Sequence, residues 1–88
     1  MQTVTMYTGP HCPYCNMAKQ LLKTLGVESI NEIHIADSDE LFEEMQQRTG
    51  RRTVPQIFIG ETHVGGFTDL QALHQKHELV GLLNGEKA

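Results

Sequence analysis

Cys12 and Cys15 are the only cysteines in the 88 residues, and they stand three apart in Cys12-Pro13-Tyr14-Cys15. A disulfide constrains an unfolded chain more the longer the loop it closes, so this pair can scarcely staple a fold. A structural zinc site usually takes four ligands. The other candidate ligands are histidines, and only His11 adjoins the pair, while His34, His63, His74 and His77 are scattered. No metal site is expected. Two thiols at this spacing, close to a βαβ pattern in a reducing compartment, point to thiol–disulfide exchange.

The elements that must position them can be read from punctuation and period. Residues 3–8 are rich in β-formers and end at Gly9-Pro10, which predicts a strand and a turn. Met17, Ala18, Leu21, Leu22 and Leu25 then recur at helical spacing. Pro13 suits the first position of that helix and Gly26 suits its stop. Lys19 and Lys23 read as its solvated face. A second strand is expected over 29–36, around Ile30, Ile33 and Ile35. Asp37 with Glu40 resembles a capping box, and Ser38 is an alternative cap for the helix carrying Leu41, Phe42 and Met45 up to Gly50. After the loop 51–55 come a strand at 57–59, a tight turn at Gly60-Glu61 and a strand at 62–64. Thr68 with Gln71 is a further capping-box candidate. Leu70, Leu73, Leu79, Leu82 and Leu83 define a C-terminal helical segment expected to break near Gly81.

The order is β-α-β-α-β-β-α. The first two strands, joined through a helix, should be parallel with a right-handed crossover, and the last two form an antiparallel hairpin. One four-stranded mixed sheet with helices on both faces fits this α/β order, as a single domain over 1–88, with the leucines, isoleucines and methionines as core. Cys12 then falls at the junction of the first strand and helix. Free backbone N–H groups and the positive end of the helix dipole favour an anion there. Such cysteines have pKa values lowered to roughly 3.5–7.5, so Cys12 is the expected nucleophile. Cys15 lies one turn further in, within reach of a mixed disulfide on Cys12.

The formal net charge is −4 and the hydrophobic content 39%. Nucleic-acid binding, which needs clustered Lys and Arg, is not expected. No stretch approaches the roughly 20 apolar residues of a membrane span. The opening residues lack the basic and apolar regions of a secretory signal, which makes the cytoplasm the default compartment.

Tyr7-Thr8, Cys12-Pro13-Tyr14-Cys15, Thr53-Val54-Pro55-Gln56 and Gly65-Gly66-Phe67-Thr68-Asp69-Leu70, in this order, resemble the dithiol glutaredoxins of the thioredoxin superfamily. The resemblance covers nearly the whole chain. It implies a thioredoxin fold and a monomer that reduces protein disulfides and glutathione adducts. Glutathione is then a co-substrate, and no cofactor is tightly bound. By position, Cys12 attacks and Cys15 resolves. Tyr14 flanks the glutathione, Pro55 is the cis-proline beside the site, the backbone of Val54 pairs with the glutathione cysteine like an added strand, and Thr53 is a further glutathione-binding residue. Only about 5–6% of X–Pro bonds are cis, so sequence pattern alone would not suggest that bond. The segment Gly66, Phe67, Thr68, Asp69 takes the γ-glutamyl end, with helix-start N–H groups for its carboxylate and Asp69 for its ammonium. As plain residues the same segment reads as a turn, a cap and a helix-start acid, and both readings can hold together.

One position departs from the family. Many glutaredoxins carry Lys three residues before the nucleophile, where it reaches the glycine carboxylate of glutathione, and here that residue is Gly9. Arg51 or Arg52 could supply the charge from the opposite loop, since Arg suits carboxylates. His11 adjoins the nucleophile and would favour a thiolate if protonated. Two other readings compete with the enzyme fed by glutathione. One is a redoxin reduced by a thioredoxin reductase. The other is an iron–sulfur carrier, a role of the monothiol relatives with Cys-Gly-Phe-Ser, against which Pro13 and Cys15 argue.

Overall fold

The computed structural model describes residues 1–85. Its strands are β1 (Val4–Thr8), β2 (Asn31–His34), β3 (Gln56–Ile59) and β4 (Thr62–Gly65), and its helices α1 (Pro13–Thr24), α2 (Asp39–Thr49), α3 (Phe67–Gln75) and α4 (Leu79–Leu83). The sheet order is β2-β1-β3-β4. β1 runs parallel to β2 and antiparallel to β3, which is antiparallel to β4. The expected mixed sheet is present.

Side chains alternate across a strand, and the two central strands use both faces. Val4, Met6, Ile57 and Ile59 pack with Ala18 and Leu22 of α1, Leu70 of α3 and Leu79, Leu82 and Leu83 of α4. Tyr7 and Phe58 point the other way, onto Met45 and Phe42 of α2.

The helix ends show what the residues dictate. Cys12 caps α1 with Pro13 at its first turn. At the far end the N–H groups of Gly26 and Val27 return to the carbonyls of Lys23 and Leu22, with Gly26 at φ 97°. This is the paired closure a left-handed glycine allows. Ser38, not Asp37, caps α2: its Oγ accepts the Leu41 N–H at 3.2 Å, while Asp37 lies in a short 3-10 turn. That turn takes Ile35 out of β2, which is shorter than the expected 29–36.

Three further expectations are corrected. α3 is capped at Gly66, and Asp69 Oδ2, rather than a Thr68–Gln71 box, accepts the Gly66 N–H at 2.9 Å. The C-terminal segment breaks at His77, not Gly81. His77 sits at φ 62°, and the N–H groups of His77 and Glu78 close on the carbonyls of His74 and Leu73, while Gly81 is carried inside α4. Met17 is not core, being 45% exposed, and Lys19 is not simply solvated, because it pairs with Glu32 at 3.1 Å.

Candidate functional site

Helix α1 begins where β1 ends, and this junction presents both sulfurs. Cys12 and Cys15 are joined as a disulfide with their Cα atoms 5.3 Å apart. Cys15 is 2% exposed, whereas Cys12 is only half-buried and is the sulfur within reach of a partner. The Cys15 N–H points at Cys12 Sγ from 3.2 Å. In the reduced protein that donor and the helix dipole both favour a negative sulfur. Cys12 therefore has the access and the donor a nucleophile needs, and Cys15 has neither.

The loop before β3 faces this sulfur. Val54–Pro55 is a cis peptide, and the Val54 carbonyl oxygen lies 3.8 Å from Cys12 Sγ. Tyr14, Thr53, Val54, Pro55, Gly66, Phe67 and Thr68 line one open groove of about 140 Å³ beside the disulfide. The Tyr14 and Phe67 rings flank it with centroids 6.1 Å apart, and Tyr14 is 58% exposed. Seven of the expected binding residues are thus brought together. Gly9 touches the same loop: a Cβ there would lie 3.3 Å from Val54 Cγ2. A lysine at Gly9 would need Val54 to shift slightly. His11 is an exposed turn residue at φ 52°.

Arg51 and Asp69 are brought together as well, but as partners of each other. Arg51 Nη1 donates to Asp69 Oδ2 at 2.9 Å, and the Gly66 N–H donates to the same oxygen at 2.9 Å. The Arg51 hydrogen bond first, and the Gly66 N–H next, hold the Asp69 carboxyl below its ordinary range. Arg52, next to Thr53 in the chain, is exposed. The site also depends on Gly65, at φ 117°, where a Cβ would run into the Asp69 carboxylate and come within 3.0 Å of Arg51 Nη1. Its glycine is required by that close approach.

On the other side of the disulfide lies a larger polar cleft of about 520 Å³, lined by Thr8, Lys19, Glu32 and His34 together with both cysteines. Thr8 Oγ1 lies 3.2 Å from His34 Nδ1. This cleft was not foreseen, and neither was the chain from His63 to Gln56 to Thr53. His63 Nε2 lies 2.8 Å from Gln56 Oε1, and Gln56 Nε2 donates to the Thr53 carbonyl at 3.0 Å. His63 read in the sequence only as one of the scattered histidines, and its pairing with Gln56 follows from the β3–β4 hairpin that brings the two strands together.

The family model described as glutaredoxin matches residues 4–64. This chain belongs to the glutaredoxin family. A glutaredoxin of Neisseria meningitidis serogroup A is 68% identical over 84 residues, covering 96% of this chain and 99% of the relative. Glutaredoxin 3 of Escherichia coli K12 is 48% identical over 83 residues, covering 94% and 99%. Among solved structures, a buckwheat glutaredoxin–glutathione complex superposes with a TM-score of 0.86 at 30% identity, over 96% of this chain and 78% of that one. A Brucella melitensis glutaredoxin in solution gives 0.83 at 48% identity, over 100% and 96%. A glutaredoxin with both cysteines in place is a glutathione-dependent thiol–disulfide oxidoreductase, and the four-stranded sheet with its flanking helices is the thioredoxin fold.

Proposed function

We propose that this glutaredoxin acts as a single unit over 1–88, as a monomer in the cytoplasm, reducing disulfide-bonded and glutathionylated proteins through Cys12. The observation that carries this reading is the contact set at Cys12 Sγ, with the Cys15 N–H at 3.2 Å, the Val54 carbonyl at 3.8 Å and the open groove alongside. No helix among the described residues is long and apolar enough to cross a membrane.

With a protein disulfide, the Cys12 thiolate attacks one sulfur and the substrate's other sulfur leaves as thiolate. Cys15, deprotonated, attacks Cys12 Sγ, which closes the Cys12–Cys15 disulfide and releases the second substrate thiol. Two glutathione molecules then restore the dithiol and leave as glutathione disulfide. With a glutathionylated protein, Cys12 takes the glutathionyl sulfur and frees the protein thiol. A second glutathione attacks that mixed disulfide, and Cys15 is not needed. In the groove the glutathione cysteine lies along the Thr53–Val54 backbone like an added strand. Its γ-glutamyl end lies at Gly66, Phe67, Thr68 and Asp69, beside the start of α3. Tyr14 and Pro55 wall the sulfur, and Arg51 and Arg52 are the cations at the rim.

Cys12→Ser should abolish both reactions, because no other thiolate forms the first mixed disulfide. Cys15→Ser should keep deglutathionylation and lose most dithiol reduction. Assays of both reactions, each coupled to glutathione reductase, read this directly. Activity in the Cys12→Ser protein would overturn the assignment.

A further inference from the structure

The two charged residues flanking the groove, Arg51 and Asp69, were the natural partners for opposite ends of glutathione, a carboxylate and an ammonium. The structure joins them instead. The geometry points to Arg51 as a positioning residue for the γ-glutamyl end: it fixes the Asp69 carboxylate and thereby sets selectivity for a ligand ammonium. This rests on the groove being the glutathione site.

Arg51 reaches Asp69 from the loop after α2, and Gly66 reaches it from the start of α3, both at 2.9 Å and both on Oδ2. Two donors hold Oδ2 in place and leave Oδ1 without a protein partner among the described residues. Gly65 is the third part of the device, since any side chain there would meet both the Asp69 carboxylate and Arg51 Nη1. The pair stands open to water, with side-chain exposures of 47% and 42%, so a ligand can reach it. A carboxylate held ionised, with one oxygen anchored and the other free, offers a cationic group a directed acceptor. Arg51, committed to Asp69, is not the replacement for the family lysine missing at Gly9, and Arg52 remains as the exposed cation for the glycine end.

The test compares three mixed disulfides of one small thiol: with glutathione, with its analogue lacking the γ-glutamyl amino group, and with its glycinamide. The parent should prefer glutathione to the des-amino analogue, and Arg51→Gln should reduce that preference about two- to fivefold, the scale of an exposed ion pair. Arg51→Lys should restore part of it. The preference for glutathione over the glycinamide should survive Arg51→Gln and fall in Arg52→Gln. In an NMR titration the Asp69 carboxyl of Arg51→Gln should move up toward its ordinary value. If Arg51→Gln erases the glycinamide preference and spares the des-amino one, Arg51 binds the glycine carboxylate and the inference is wrong. If the parent discriminates against neither analogue, the glutathione reading of the groove fails instead.

Discussion

The two faces of the sheet are differently built, a large buried cluster on one and a smaller one on the other. Beneath α1, α3 and α4 the packed cluster is apolar, from Val4 and Met6 to Ile57 and Ile59. Beneath α2 the aromatic residues are threaded with polar groups. Tyr7 donates to Glu44 at 2.5 Å and accepts from Arg48 at 2.7 Å, and the Arg48 guanidinium stacks 4.2 Å above the Phe58 ring. Gln56, fully buried, ties His63 to Thr53. No buried side-chain polar atom among the described residues lacks a partner. A dry face depends on volume, whereas hydrogen bonds on the other face also fix direction. Here the direction leads to the Thr53–Val54 loop. Damage to the first face should therefore cost stability alone, and damage to the second should reach glutathione as well.

Leu22→Ala is the strongest way to break the dry face. Leu22 is fully buried among Val4, Met6 and the α3 and α4 leucines. Truncation should cost about 2–5 kcal/mol through lost burial and the cavity left behind. That is a large part of the roughly 5–15 kcal/mol that holds a small domain together. The urea midpoint should drop steeply, while KM for a glutathione mixed disulfide, measured where the variant is still folded, should match the parent. A raised KM would show that the apolar face also shapes the groove.

The opposite face is sharpened at neighbouring residues of one strand. Gln56→Leu keeps the bulk but leaves His63 Nε2 and the Thr53 carbonyl without their partner. The stability loss should be about 0.5–1.5 kcal/mol, the net value of a hydrogen bond, because the exposed Thr53 and half-buried His63 can turn to water. Thr53 also loses its tether, so KM for glutathione substrates should rise severalfold with kcat little changed. Ile57→Val, one residue on and facing the dry core, should cost about 0.5–1.5 kcal/mol and leave KM alone. Equal KM effects in the two variants would remove the distinction between the faces.

The dry face was legible in the sequence because its cause is periodic. Leu22, Leu70, Leu79, Leu82 and Leu83 were all expected as core, and all are buried. Gly26 and Gly50 were expected as stops and both take left-handed φ. Local signals failed where two candidates competed. Gly81 looked like a break, yet the chain turns at His77, where a non-glycine residue takes positive φ as only a few per cent do, His more often than most. Thr68 looked like a cap, while Gly66 and Asp69 do that work. The polar face was illegible for a different reason. Tyr7 and Glu44 are 37 residues apart, Tyr7 and Arg48 are 41, and Arg51 and Asp69 are 18. Such pairs exist only once the sheet has brought them together. The cysteines and the lining of the groove were recognisable because each lies within a short contiguous motif. The commitment of Arg51 to Asp69 was not, because each taken alone is simply a charge beside a binding loop.

The smallest expected effect separates the faces by pH. The dry cluster contains no titratable side chain, so nothing in it should respond. His63 lies on the other side, stacked 5.0 Å from Phe58, and its pKa is lowered from the ordinary 6.5. Burial is the main cause, Arg51 and Arg48 add to it, and Asp69 opposes it. A lowered histidine pKa means that the unfolded chain takes up the proton first. The stabilising contribution is therefore complete above 6.5 and is lost as pH falls from there through the folded-state value. Gln56 Oε1 can only accept, so it takes the Nε2–H that the neutral ring and the imidazolium both carry, and the lowering rests on burial and the two arginines. Urea midpoints of the parent and of His63→Gln, measured across this window, isolate the effect, since the other four histidines are common to both. The parent curve should fall more steeply on acidification. In an Asp69→Asn background the fall should begin from the same unfolded-state value and extend to lower pH, because the one opposing charge is gone. Parallel curves for the parent and His63→Gln would show that the imidazole is as free in the folded protein as in the unfolded chain, and that the polar face ends at Gln56.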